Sequence, residues 1–114
     1  MNDCLFCKIA SGEIPSTKVY EDELVYAFRD INPQAPTHVL VIPKKHIKSV
    51  MEIQDEDNEL LSRIFQVIKT VAKQEGIDEK GFRVVSNIGE DGQQTVPHLH
   101  FHVIGGRSMQ WPPG

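Results

Sequence analysis

Asp55-Glu56-Asp57-Asn58-Glu59-Leu60-Leu61, running on to Val71-Ala72-Lys73-Gln74-Glu75-Gly76, is the stretch on which the fold turns. Leu60, Leu61, Ile64, Val67, Ile68, Val71 and Ala72 recur at steps of three and four, which predicts one long amphipathic helix from about Asp55 to about Glu75. Asp55 is placed to cap its start. Glu56, Asp57 and Glu59 suit the positive end of the helix dipole, Lys69 and Lys73 the negative end, and Gly76 the stop. Outward from this helix, the chain on both sides reads mainly as strand.

Toward the N-terminus, His38-Val39-Leu40-Val41-Ile42 ends at Pro43 and predicts a central strand covered on both faces. Before it, Asn32-Pro33-Gln34-Ala35-Pro36 is an irregular loop, because its prolines cannot donate to a ladder. Residues 17–21 and 24–29 predict two short strands across the turn Glu21-Asp22-Glu23, and residues 4–10 a short helical turn ahead of the breaker Gly12-Glu13-Ile14-Pro15. Toward the C-terminus, residues 82–87 and 98–104 predict two more strands, joined by a polar, glycine-bearing loop over 88–95. Strands on both sides of one helix imply an α+β fold: a five-stranded antiparallel sheet with one long helix and a short N-terminal helix.

Size and charge bound what such a fold can do. At 114 residues the chain is read as one domain, 1–114, with room for one core and one site. No apolar run approaches the roughly 20 residues that cross a bilayer, so no membrane partner is expected. Met1-Asn2-Asp3-Cys4 has neither the basic start nor the apolar stretch of a secretory signal, and a cytoplasmic location is expected. Twelve Lys plus Arg against 16 Asp plus Glu leave a net charge of −4 without a basic stripe, which argues against nucleic acid as a partner. Lys44-Lys45 with Lys48 is the densest basic patch and reads as a solvated loop. Phosphate, if handled, is handled one group at a time in a pocket.

The last strand reads His98-Leu99-His100-Phe101-His102-Val103-Ile104. Alternation puts the three histidines on one face and Leu99, Phe101 and Val103 on the other. At this chain's histidine frequency of 5 in 114, three alternating histidines arise by chance about once in a hundred such sequences. The outer two Cα atoms are about 13 Å apart, too far for all three rings to converge on one ion with bonds of about 2 Å. Cys4 and Cys7, spaced as Cys-x-x-Cys, point to metal or redox chemistry. His46 follows the central strand and His98 starts the histidine strand, so antiparallel neighbours bring the two together at one edge. Cys4, Cys7, His46 and His98 are therefore a candidate closed, structural Cys₂His₂ zinc site, against the alternative of a redox or idle cysteine pair.

His98 through Ile104 resembles the signature of the histidine-triad (HIT) superfamily, His-φ-His-φ-His-φ-φ with φ apolar. The resemblance runs along the chain through Phe6-x-Lys8-Ile9, Glu13-Ile14-Pro15, the segment from Asp30 to His38, Ile42-Pro43-Lys44-Lys45-His46, and Gly105-Gly106-Arg107 with Trp111-Pro112-Pro113-Gly114. The last of these looks like the Hint branch, the purine nucleoside phosphoramidases. The resemblance implies a HIT-like fold, a homodimer in which two five-stranded sheets join, and a purine nucleotide or nucleoside phosphoramidate, of AMP or GMP type, beside the histidine strand. It implies that His100 is the nucleophile, attacking the α-phosphorus of an AMP-linked amine to form an AMP-histidine that water then cleaves. His102 and His38 belong to the same catalytic cluster, with Asn87, Thr95 and His102 as phosphate donors. By the same resemblance His100 is oriented through its other nitrogen by a backbone carbonyl, Asp30 holds ribose hydroxyls, and Phe6, Ile9, Ile14, Phe28 and Ile31 form a slot for the base. Trp111, in the tail, influences leaving-group choice at the partner subunit's site. Departures from the family pattern are Gln93 where glycine is common, Thr95 for a commoner serine, and Pro97 before the triad. Dinucleoside polyphosphate hydrolysis, and a nucleotide-binding regulatory module with vestigial hydrolysis, are the rival readings.

Overall fold

The computed structural model describes residues 3–114. Met1 and Asn2, half of the N-terminal stretch read above, lie outside the described residues. Helix α1 (Leu5–Ala10) is followed by strands β1 (Lys18–Glu21), β2 (Val25–Arg29) and β3 (Thr37–Pro43). Two 3₁₀ turns (Val50–Glu52 and Asp55–Asp57) lead into helix α2 (Asn58–Gln74), and β4 (Phe82–Val85) and β5 (Phe101–Gly105) complete the chain. The strands form one antiparallel sheet in the order β1-β2-β3-β5-β4. The α+β expectation is met, with β3 central and all seven of its residues buried.

The sheet has two apolar faces because its strands alternate between them. Val25, Ala27, Val39, Val41, Leu99 and Val103 pack beneath Ile64, Val67, Ile68 and Val71 of α2. On the opposite face Tyr26, Phe28, Leu40 and Ile42 pack with Phe6 and Ile9 of α1. Six residues are too few for a helix to stand alone in water. α1 is therefore held by burial of Phe6 and Ile9, each worth about 1.5–3 kcal/mol, and by Cys4, whose Sγ accepts the Cys7 N–H.

Element ends depart from the sequence expectation where a side chain outcompetes the regular ladder. Asp55 does not cap the long helix; it opens a 3₁₀ turn. The buried Asp57 carboxylate instead accepts the Gln54 N–H at 2.9 Å and the Lys45 ammonium at 2.6 Å. At the other end Gly76 takes φ +73°, and the N–H groups of Gly76 and Ile77 close on the carbonyls of Lys73 and Ala72 at 3.1 and 3.0 Å. β4 stops at Val85 rather than Asn87, because Ser86 turns its hydroxyl to the His100 carbonyl and Asn87 its amide to the Gly92 carbonyl. β5 begins at Phe101 rather than His98. The Leu99 N–H leaves the ladder for the Ile47 carbonyl at 2.6 Å, and the His98 N–H bonds the Val96 carbonyl. Alternation survives the missing ladder: Leu99, Phe101 and Val103 lie under α2, while His98 and His100 stack edge-on to Phe6 on the other face.

Candidate active site and metal centre

α1 and the two segments that leave β3 and enter β5 bring four ligating side chains together. Cys4 Sγ lies 3.2 Å from His98 Nδ1, Cys7 Sγ 3.3 Å from His46 Nδ1 and 3.5 Å from His98 Nδ1. Tetrahedral zinc with bonds of about 2.3 Å to sulfur and 2.0–2.1 Å to nitrogen has sulfur-to-nitrogen edges of about 3.5 Å, so the set fits the ion. The surroundings also fit. His98, fully buried, places Nε2 at 2.8 Å from the Pro43 carbonyl. A carbonyl only accepts, so Nε2 carries the proton and Nδ1 offers its lone pair to the metal, the second-sphere arrangement typical of zinc histidines. Burial, then Cys4, pushes the Cys7 thiol up to about 11, so a metal ion bound there would have to displace its proton. Cys4, Cys7, His46 and His98 thus form a site that can hold a zinc ion, closed at four ligands.

Asp30, His38 and His102 make a second cluster of potential ligands, and proton accounting removes it as a metal site. The Gln34 backbone N–H donates to His38 Nδ1 at 3.0 Å, so the proton of neutral His38 is on Nε2. His38 Nε2–H then donates to His102 Nδ1 at 2.9 Å, and His102 Nε2–H to Asn87 Oδ1 at 3.1 Å. Both nitrogens of both rings are engaged, leaving no lone pair for a cation. Burial drives the pair neutral: it lowers the pKa of His38, and with the neighbouring His100 and His38 it pushes His102 down to about 4. The Asp30 carboxylate, 3.5 Å from His38 Nε2, opposes that shift without reversing it.

His100 stands between the two clusters. Its Nδ1–H donates to the His98 carbonyl at 2.7 Å, so Nε2 holds a free lone pair. Burial lowers its pKa, which keeps the ring unprotonated at neutral pH. With His102 and Thr95 it lines a cavity of about 330 Å³ whose other walls are Leu5, Phe6, Ile9, Phe28, Asp30, Ile31, Leu40 and Val96. Such a volume suits a small organic ligand, with apolar walls for a flat ring and a few polar groups at one end.

Most of the predicted residues meet here. Phe6, Ile9, Phe28 and Ile31 line the cavity, Ile31 fully exposed at its lip. Ile14 does not: it packs behind the wall against the cluster containing Phe6 and Ile9. Asn87 sits behind His102 rather than in the wall. Trp111 lies away from this cavity, its ring 5.9 Å from the Arg83 guanidinium on β4, while Arg83 also holds the Gln110 carbonyl. Leu40 and Val96 were missed, although Leu40 shares strand parity with His38 and pairs directly with His102. Leu5, next to Cys4, was missed too. The part played by the Gln34 N–H had no signal in the sequence, since every residue but proline has one.

The HIT domain family model matches residues 11–109. The chain is 53% identical over 114 residues to the 14 kDa zinc-binding protein of Brassica juncea, across 98% of this chain and 100% of that one. It is 51% identical over 112 residues to adenylylsulfatase HINT1 of Arabidopsis thaliana, across 96% of this chain and 76% of that one. The crystal structure of a HIT family hydrolase from Legionella pneumophila Philadelphia 1 superposes with a TM-score of 0.96 at 55% identity, covering 98% and 100% of the two chains.

Proposed function

The chain belongs to the HIT domain family, and from that premise we propose that it is a nucleotide hydrolase that breaks the bond between the α-phosphorus of AMP and a leaving amine. The observation that carries the reading is His100. One nitrogen is pinned to a carbonyl and the other is an unprotonated lone pair in the wall of a nucleotide-sized cavity.

His100 Nε2 attacks the α-phosphorus, a nitrogen–phosphorus bond forms as the substrate's P–N bond breaks, and the amine departs with that electron pair and takes up a proton. As the ring becomes cationic, the His98 carbonyl stabilises the charge through Nδ1–H. Water then cleaves the AMP-histidine and restores the ring. Charge spreads over the phosphoryl oxygens in both steps, so well-placed donors matter more than covalent help. His102 and Thr95 in the wall fill that role, with Asn87 behind His102 holding its Nε2–H through Oδ1, and Asp30 accepts from the ribose. The related protein named adenylylsulfatase supports attack at an adenylyl phosphorus; sulfate or an amine would then differ only as leaving groups. Zinc at Cys4, Cys7, His46 and His98 is structural here, since four protein ligands leave no open position for substrate.

The working unit in this reading is a homodimer. α2 packs over β1, β2 and β3 and leaves Phe65 and Val84 half exposed on the same side of the sheet, a strip that a second copy would cover. Trp111 then contributes to leaving-group choice from the tail.

The test is AMP release from an adenosine phosphoramidate of a simple alkylamine. Wild type should turn over and His100→Ala should not, with AMP affinity within about tenfold of wild type because the nucleophile acts only in the chemical step. Turnover by His100→Ala removes the mechanism. AMP binding without turnover by either protein replaces it with a nucleotide-binding module.

A further inference from the structure

Arg107 lies in the Gly105-Gly106-Arg107 segment, after β5, and carries no ion pair among the described residues. All three of its hydrogen bonds go to main-chain carbonyls: Nε and Nη2 to Gln34 at 3.2 and 3.1 Å, and Nη1 to Ser108 at 3.2 Å. Gln34 is also the residue whose backbone N–H meets His38 Nδ1 at 3.0 Å. Its two main-chain groups are therefore held from opposite sides, the carbonyl by a guanidinium 73 residues away and the N–H by a buried imidazole. The preceding residues are shaped for this approach. Gly106 takes φ +93°, and a Cβ there would come within 2.9 Å of Pro36 in the Gln34 loop.

We propose that Arg107 is a positioning residue: by gripping the Gln34 carbonyl it keeps the Gln34 N–H on His38, and so biases which nitrogen of His38 and of His102 carries the proton.

The direction of the chain decides what the cavity sees. With Gln34 N–H on Nδ1, His38 must donate from Nε2, His102 must accept at Nδ1, and His102 carries its proton on Nε2, where it donates to Asn87 Oδ1. With Gln34 withdrawn, His38 can hold its proton on Nδ1, the His38–His102 bond runs the other way, and His102 Nε2 becomes a bare lone pair. Resting on the function proposed above, the first state holds on His102 Nε2 a proton that an arriving phosphoryl oxygen can share with Asn87 Oδ1, and the second meets that oxygen with a lone pair. Asp30, 3.5 Å from His38 Nε2, and Asn87 Oδ1, 3.1 Å from His102 Nε2, favour the first state independently, so loss of Arg107 weakens the preference rather than abolishing it. A two-pronged grip on one carbonyl suits a guanidinium and not an ammonium.

The experiment is ¹⁵N NMR of the histidine rings in the ligand-free, zinc-loaded protein, with AMP-release kinetics alongside, for wild type, Arg107→Ala and Arg107→Lys. Wild type should show protonated Nε2 and unprotonated Nδ1 on both His38 and His102. Arg107→Ala should show mixed tautomers on both rings, with kcat down about fivefold, about 1 kcal/mol at the barrier, and KM within about twofold. Arg107→Lys should behave like Arg107→Ala, and carries the comparison alone if the alanine variant does not fold. Wild-type tautomers in either folded variant overturn the proposal. Tautomer mixing in the variants of a protein whose wild type releases no AMP overturns the proposed function and leaves the role of Arg107 standing.

Discussion

At the scale of the residue, the histidines show how burial selects a charge state. His38 and His102 are held below the ordinary histidine value mainly by desolvation, His102 down to about 4. The unfolded chain therefore takes up these protons first. Their contribution to stability is complete above pH 6.5, the unfolded value, and is lost as pH falls from there toward about 4. Thermal melting across pH 7.5 to 4 should show a steeper loss for wild type than for His102→Asn; parallel curves would contradict this origin. Gln93 illustrates backbone chemistry instead. It adopts φ +62°, a left-handed conformation costing an L-residue about 1–2 kcal/mol. Gln93→Gly should raise stability by up to about 1 kcal/mol, less than the strain relieved because glycine also loosens the unfolded chain; a lower melting temperature would show that no strain is stored there. The histidine row and the cysteine pair were legible in the sequence because their chemical types are rare and regularly spaced, whereas Asp30, Asn87, Thr95 and the apolar slot came only with the family resemblance. The order of protons along Gln34, His38, His102 and Asn87 was not, because it depends on a backbone N–H that has no compositional mark.

At the scale of the element, α1 joins the metal centre to the nucleotide cavity. Cys4 at its N-cap and Cys7 within it face the metal side, while Leu5, Phe6 and Ile9 form cavity wall. His98 supplies a ligand through its ring and orients His100 through its carbonyl. Zinc should accordingly bind at one equivalent per chain, the second cluster being closed by its own hydrogen bonds. Stripping it with a chelator should lower the melting temperature and weaken AMP binding by about tenfold, the cost of losing part of one apolar wall. Calorimetric titration of the stripped, still folded protein with AMP measures this directly, and an unchanged affinity would mean that α1 stays in place without metal. The long helix was readable from its apolar period, and its stop from Gly76. Its start was not, because Asp55 and Asp57 are equivalent as sequence and only the fold brings Lys45 to one of them. The same limit explains β5: the pattern marks which face each histidine takes, while the point where ladder bonding begins depends on Ile47 lying within reach of Leu99.

At the scale of the whole molecule, the accessible surface is 7159 Å², against about 6,300 Å² expected for a compact monomer of this mass. Among the apolar side chains left uncovered are Phe65, Val84 and Trp111. Sedimentation equilibrium should return twice the 12.9 kDa chain mass, and Val84→Lys should shift it toward the monomer; a wild-type monomer at micromolar concentration would remove the dimer from the proposed function. By itself the sequence determined the class of fold, the long helix, the central strand and the face on which the histidines lie. Those features follow from periodicity and residue type, which act locally. Tertiary structure alone decided where pairing starts and stops, that Ile14 and Asn87 stand behind the cavity wall rather than in it, and that Trp111 rests on Arg83. It also decided that Arg107 reaches Gln34 across the chain. These outcomes turn on which groups from distant segments arrive within hydrogen-bonding distance, and that is set by the packing of the sheet between its two helices.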